Sequence, residues 1–409
     1  MSSTLQDKDI VAQAQHALSM HQLCDYCLGR LFAKLESGMS NKSRGKKLRA
    51  ACKQSTKTLV RDCWLCQGLF DELPSFTILI TRALEPYEFD TFLIGSKIDE
   101  DTIERETSLW GEVGNEHAEP IKVEINRELG KVLETQLHKE VDFEDPTVMV
   151  ILDTAFDVVT LQIKSLFIYG RYKKYARTIP QTKWFCKVCR GKGCRRCNYT
   201  GALYDTSVQE LIATSVLEAT GGIDNAFHGC GREDIDARML GNGRPFVLEI
   251  KHPKKRSVNL AEIEQNINTI NKGSIEVQHL RFSDRDEIAR IKNAAFQKTY
   301  RVTIQSEKPL SNEKLKKVTA ALRNRAIGQL TPSRVAHRRA NMVREKQIYG
   351  CSVESVDGTI SILTIEAESG TYIKELVSGD DGRTTPNLSE LIGIPCRVTA
   401  LDVIEIKGE

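Results

Sequence analysis

Two groups of residues in this chain have the types and spacing to do chemistry. The first is thiols: eight of the twelve cysteines stand in four Cys-x-x-Cys pairs, Cys24/Cys27, Cys63/Cys66, Cys186/Cys189 and Cys194/Cys197. Two thiolates at that spacing grip one tetrahedral ion from a tight knuckle, and two knuckles close a four-sulfur site. In a cytosolic protein such pairs read as zinc ligands rather than disulfides. The first site joins Cys24/Cys27 to Cys63/Cys66 across a basic helical stretch. The second, CKVCRGKGCRRC, is compact, with Gly191 and Gly193 allowing the turn between knuckles. Neither leaves a place for a catalytic water, so the zinc expected is structural. Unrelated thiol pairs at the first site, and a redox or empty knuckle at the second, are the competing readings. Cys52, Cys230, Cys351 and Cys396 are scattered and read as reduced core or surface thiols.

The second group lies in HGCGREDIDARMLGNGRPFVLEIKHPKK (228–255). Glycines 229, 231, 241 and 243 surround an acid-rich run that carries Arg232, Arg238 and Arg244. Glycines let a backbone approach a ligand closely, and arginines beside aspartates hold the acids ionised. The segment is neither a dinucleotide-binding GxGxxG nor a P-loop, because the spacing and the Lys-Ser/Thr ending are missing. Composition leaves two readings open, a catalytic loop or a polar loop feeding a strand.

Whatever the chemistry, 409 residues exceed a single ordinary core, and two or three domains are expected. An apolar fraction of 40% is enough to fold, and 28% charged residues mark a soluble chain. No run of eighteen apolar residues offers a transmembrane helix, and MSSTLQDKDIVAQAQ lacks the basic start and apolar stretch of a signal peptide. A cytoplasmic location with no membrane partner is expected. Net charge is only +3, but three runs are locally basic: 42–49, the tyrosine-interleaved 164–177, and 323–346. Separate basic stripes suit a polyanion that touches several surfaces, although each alone reads equally as a solvated face.

The elements that must position these groups fall into an α+β pattern. Residues 1–75 read as a helical zinc-binding segment. FTILI (76–80), TFLIG (91–95), TVMVIL (147–152) and VVTLQI (158–163) read as strands. The stretch 121–137 reads as a helix with Ile125, Leu129, Val132, Leu133 and Leu137 on one face. This module, ending in the basic, tyrosine-rich GRYKKYAR (170–177), is suited to docking RNA, although a plain structural domain would look much the same. Pro180 and the second knuckle mark a boundary. A capping box at Ser207 and Glu210 opens a helix stopped by Gly221-Gly222. Strands VLEI (247–250), YRVTI (300–304) and ISILTIEA (360–367) follow.

The 228–255 segment resembles the active-site motif GREDxDxRxLGxGRPF of the archaeal and eukaryotic pseudouridine synthase family numbered ten. It matches at Gly231, Arg232, Glu233, Asp234, Asp236, Arg238, Leu240, Gly241, Gly243, Arg244, Pro245 and Phe246. RTIPQTKWFC (177–186) and the basic GQLTPSRVAHRRANMVR (328–344) also resemble that family. The likeness is strong over about 170–409. The N-terminal third agrees through its paired knuckles and a module similar to the THUMP RNA-binding domain. The resemblance therefore implies an α+β chain in three parts. A helical zinc segment (1–75) precedes a THUMP-like RNA-binding module (76–180). A synthase domain built on a mixed, mainly antiparallel sheet follows (181–409), with the compact knuckle at 186–197.

The resemblance also implies roles. Asp234 is the essential catalytic residue, with Asp236 its rival, since a two-residue offset on an extended chain would put both on one face. Tyr300, in KTYRVTI, stacks on the flipped base. From ESGTYIKELVSGDDGRTTPNLSELIG (368–393), Lys374 pairs with the aspartate and lowers its pKa, and Leu376 lines the base pocket. Tyr372 and Arg232 join the substrate-binding set. The reaction breaks N1–C1′ of uridine, turns the uracil and rejoins it through C5. It needs no redox cofactor, organic cofactor or catalytic metal. A carboxylate does it either by covalent attack or by removing a sugar proton. The expected partner is tRNA, modified at T-loop uridines 54 and 55, with the THUMP-like module gripping the acceptor end. A zinc-containing RNA-binding protein without catalysis is one rival. Another THUMP-bearing tRNA enzyme is a second, but the cofactor or nucleotide loop it requires is not found.

Overall fold

The computed structural model describes residues 4–53, 58–336 and 340–408. The chain divides into two compact units at Lys164/Ser165. In the first unit, helices Lys8–Met20, Asp25–Arg30 and Asn41–Ala51 precede a four-stranded sheet ordered β2-β1-β3-β4. Its strands are β1 (Thr91–Lys97), β2 (Glu140–Val141), β3 (Val148–Asp153) and β4 (Val158–Ile163). β1 runs parallel to β2 and β3, and β4 closes the edge antiparallel.

Two expectations fail here. The run FTILI is not a strand but the middle of the helix Leu73–Leu84, with Pro74 in its first turn. Phe76, Thr77, Ile80 and Leu84 are its buried residues, an interval near 3.6 rather than 2, so the helical face won. On the helix Ile121–Leu137, Ile125, Leu129 and Leu133 are buried and Leu137 is partly buried, but Val132 faces solvent.

The second unit is built on a ten-stranded, mainly antiparallel sheet ordered β13-β10-β11-β12-β9-β14-β7-β5-β8, with β6 pairing β7. Its strands are β5 (Leu166–Lys174), β6 (Asp224–Gly229), β7 (Arg238–Lys251), β8 (Ile275–Ser283) and β9 (Lys298–Ser306). They continue with β10 (Arg325–Leu330), β11 (Val343–Asp357), β12 (Ile360–Ala367), β13 (Thr384–Thr385) and β14 (Cys396–Ile406). One short parallel contact, Asp402 with Arg238 and Val403 with Met239, joins the two halves. Gly241 makes that junction possible. Its φ is +58°, and a Cβ there would stand 1.7 Å from the Ile404 carbonyl oxygen.

The helix Val208–Thr220 begins where expected. Ser207 Oγ accepts the Glu210 N–H at 3.2 Å and donates to the Glu210 carboxylate at 2.8 Å. Gly221, at φ +63°, ends it.

The segment GRYKKYAR belongs to this unit, not to the first. β5 pairs with β7 and β8, and Tyr172 and Lys174 are fully buried with Arg171 close to it. These three side chains are enclosed, whereas Lys173, Tyr175 and Arg177 remain partly exposed. No described helix is long and apolar enough to cross a membrane.

Candidate active site

The connection between β6 and β7, residues 230–237, carries the acid-rich motif. It is a loop, not an extended strand: the Ala237 N–H bonds the Asp234 carbonyl at 3.0 Å. Its underside is fixed by buried charge. The Glu233 carboxylate accepts the Tyr172 hydroxyl at 2.8 and 2.9 Å. It also lies 2.8 Å from Arg244 Nε, a charge contact without hydrogen-bond alignment. Arg244 Nη1 donates to the Cys230 carbonyl at 2.7 Å. Burial, reinforced by Glu233, pushes the Tyr172 hydroxyl far above its ordinary pKa, so it remains a donor. Lys174 Nζ donates to the carbonyls of Ile179, Asp234 and Ile235 at 3.1, 3.3 and 2.8 Å. Gln181 Nε2 donates to Tyr172 Oη at 2.9 Å and to the Gly231 carbonyl at 3.0 Å. The basic, tyrosine-rich strand thus holds the loop from below.

The other side of the loop faces a cleft of about 700 Å³, within the range of small-molecule sites. One cation stands on each oxygen of Asp234: Arg334 Nη1 on Oδ1 at 3.1 Å and Lys374 Nζ near Oδ2 at 3.3 Å. Lys374 also meets both Asp236 oxygens at 2.9 Å. Burial works against the Arg334 charge, but the hydrogen bond from its Nε to Glu375, at 2.6 Å, and the charges of Glu375 and Asp234 hold its pKa above the ordinary arginine value. Partial burial likewise opposes the Asp236 charge, yet Lys374 prevails and keeps that carboxyl below its usual range. The Asp234 side chain is 34% exposed and that of Asp236 66%, so Asp234 is the better shielded of the two.

Tyr300 lies on β9 between Ile365 of β12 and Val403 of β14, only 7% exposed. Burial pushes its hydroxyl up to about 12, Arg244 acting against the shift and Asp234 adding to it, so a neutral ring faces the cleft. Leu401 and Val403 supply apolar wall. At Trp184 the Arg232 guanidinium sits 4.8 Å over the indole, and Tyr204 meets that indole edge-on at 5.6 Å.

Asp234, Lys374, Tyr300, Tyr372 and Arg232, drawn from distant parts of the sequence, therefore line one cleft. Tyr372 is set by Gln329, which accepts its N–H at 2.8 Å and donates to its carbonyl at 3.0 Å. Leu376 does not line the cleft. It is buried in the core of the unit, one helical turn behind Tyr372, whose carbonyl accepts its N–H. Asp236 shares Lys374 with Asp234 through a turn rather than through strand alternation. Of the basic run 323–346, Arg334 enters the cleft, and residues 337–339 lie outside those described.

Both cysteine sets converge. The sulfurs of Cys24, Cys27, Cys63 and Cys66 lie within 4.8 Å of one another, as do those of Cys186, Cys189, Cys194 and Cys197. Sulfur separations of 3.7, 3.8 and 4.0 Å in the second set match the edge of about 3.8 Å of a tetrahedron with 2.3 Å metal–sulfur bonds. The Cys24 N–H points at Cys63 Sγ, and the Cys194 and Gly201 N–H groups point at Cys197 Sγ, all at 3.3 Å. Such donors favour thiolates, so the residues fit a tetrahedral metal in both places. Cys52, Cys230, Cys351 and Cys396 are buried free thiols.

A family model for the C-terminal region of Pus10 matches residues 167–407, and one for the archaeal Pus10 THUMP domain matches 76–153. The chain belongs to the Pus10 family. It is accordingly a pseudouridine synthase, an isomerase. The tRNA pseudouridine synthase Pus10 of Methanothrix thermoacetophila is 38% identical, over 98% of this chain and 95% of its own length. That of Methanothermobacter marburgensis is 41% identical over 94% and 95%. A chain from a Cbf5-Nop10-Gar1 complex overlaps 49% of this chain and 45% of its own, at 14% identity and a TM-score of 0.31, too little to carry an argument.

The expected α+β architecture, a THUMP module followed by a mixed, mainly antiparallel sheet, is the one observed. The Pus10 motif gave no sign of Arg334, which reads in sequence as one more phosphate contact. Nor did it reveal Leu401, Val403, Trp184 or Tyr204, which reach the cleft only through tertiary pairing.

Proposed function

We propose that this synthase isomerises uridines 54 and 55 in the T-loop of tRNA, with Asp234 as the essential catalytic residue. The observation that carries the reading is a single half-shielded carboxylate, bracketed by two cations, sharing a cleft with a buried, neutral tyrosine ring. Arg334 and Lys374 hold the carboxylate aimed, ready to take C1′ or a sugar proton. The uridine leaves its stack to enter the cleft and lies on Tyr300. Leu401 and Val403 confine the ring edge-on. Arg232 and Tyr372 contact the nucleotides around it.

The RNA is bound by phosphate contacts, and the THUMP module grips the acceptor end while the catalytic unit reaches the T-loop. Zinc occupies both four-cysteine sites and has no part in the reaction. The enzyme works in the cytoplasm. The test is to map pseudouridine, after incubation with the purified protein, in an unmodified tRNA transcript and in its U54C and U55C variants. Modification at 54 and 55 in the parent, and at the remaining uridine in each variant, is expected. Pseudouridine elsewhere, or none, would overturn the assignment.

A further inference from the structure

Strand alternation turns Lys298, Tyr300, Val302 and Ile304 to one face of β9, and all four are buried. Three of them suit an interior; Lys298 does not, yet it is only 7% exposed. Among the described residues its Nζ makes one hydrogen bond, to Ser369 Oγ at 3.1 Å, and no carboxylate lies within ion-pair distance. Lys298 lines the same cleft as Asp234 and Tyr300. It stands under the catalytic loop, where a Cβ on Gly231 would be 3.2 Å from both Lys298 Nζ and Arg244 Nη1. Burial and the nearby Arg244 charge push its pKa down to about 8, so at neutral pH it is mostly an ammonium held at a disadvantage.

Glu233 offsets part of this from a distance, but a buried cation with no direct ion pair is disfavoured, and an apolar side chain would serve the β9 face better. Its spare N–H donors lie at the wall of the cleft. They match an acceptor that becomes negative there, and in this reaction that acceptor is the base itself.

We propose that Lys298 binds a carbonyl oxygen of the target uracil and holds the negative charge that the ring carries while it is detached from the ribose. The proposal rests on the pseudouridylation reading above. When N1–C1′ breaks, the bonding pair leaves with the base and spreads from N1 onto O2 and O4. C1′ is meanwhile taken by the Asp234 carboxylate, or the sugar loses a proton to it. The Lys298 ammonium keeps its proton and donates a hydrogen bond to the charged oxygen, a donor positioned before the charge develops. The ring turns and C5 bonds to C1′; the C1′–oxygen bond to Asp234 breaks with its electron pair returning to the carboxylate, or the proton held by Asp234 returns to the sugar. The C5 proton then passes to solvent and N1 takes one up, so product and substrate are isomers. The same contact favours a uracil that turns within the cleft over one that leaves it.

The test compares full-length wild type, Lys298→Met and Lys298→Arg on an unmodified tRNA transcript tritiated at uridine C5. Filter binding, single-turnover tritium release and thermal melting are measured. Lys298→Met should melt at or above the wild-type temperature and bind the transcript within about threefold of wild type. Its single-turnover rate should fall at least about 100-fold, the scale of losing one charge-stabilising donor. Lys298→Arg, which keeps the cation, should recover part of that rate. Wild-type release together with undiminished release by Lys298→Met would overturn this role and leave the parent reading standing. A lowered melting temperature with equal loss in both variants would make Lys298 structural and also overturn it. No release by wild type would remove the parent reading and this one with it.

Discussion

The loop 230–237 has two sides made from the same residue types, and they are used in opposite ways. Underneath, Glu233 is sealed with Tyr172 and Arg244, while Lys174 is spent on loop carbonyls. On the cleft side, Asp234 and Asp236 share Lys374, and Arg334 completes the bracket on Asp234. Acids and bases adjacent in sequence thus divide into a foundation and a working surface. Type cannot tell them apart; solvent access does. The Glu233 and Arg244 side chains are each 1% exposed, whereas Asp234 retains the opening that a substrate needs.

Substitutions on each side should therefore fail differently. Glu233→Gln leaves Arg244 as a buried, uncompensated charge and should destabilise the catalytic unit by about 3–5 kcal/mol, read by denaturant melts. Turnover per folded molecule should stay near wild type. A stable but inactive Glu233→Gln protein would break the division. Arg334→Gln removes one of the two cations on Asp234 and also strips the buried Glu375 carboxylate of its partner. It should slow single-turnover isomerisation per folded molecule by about 10²-fold, on the scale of one preorganised donor, and lower the melting temperature through the unpaired Glu375. A lowered melt with an unchanged rate per folded molecule would move Arg334 to the foundation.

The two cysteine clusters extend the contrast. All four cysteines of the first are buried, while only Cys186 of the second is. A chelator should therefore strip the second site first, and Cys63→Ser should lower the melting temperature more than Cys189→Ser. Metal analysis during chelation, with melts of both variants, checks this. The smallest effect is expected for Asp236→Asn. Asp236 is two-thirds exposed, so losing its hold on Lys374 should change the rate by no more than about threefold, the scale of an exposed ion pair.

Much of this organisation was legible in sequence because it is written in local spacing. The cysteine knuckles, the Ser207/Glu210 cap and the alternation along 300–304 and 360–367 all depend on neighbours a few residues away. Asp234, Lys374 and Tyr300, which the family motif named from distant stretches, share one cleft. The failures are of another kind. FTILI is five residues, four of them apolar, too short for its period to separate helix from strand. GRYKKYAR looked like an RNA-facing stripe because charge normally lies outside. Its partners, Glu233 and the carbonyls of the loop, come from about sixty residues further along the chain. Leu376 was expected in the pocket wall, and Leu401 and Val403 were not singled out, for the same reason: which apolar residue walls a cleft is decided by the packing of β14 against β7 and β9.

The most direct test of Asp234 as the working carboxylate is tritium release from a C5-labelled tRNA transcript by wild type and Asp234→Asn, each with a melting curve. The account predicts release by wild type, a loss of at least about 10³-fold in the variant, and melting temperatures that agree closely, because Asp234 lies on the open side of its loop. Release by Asp234→Asn at a rate near that of wild type would contradict it.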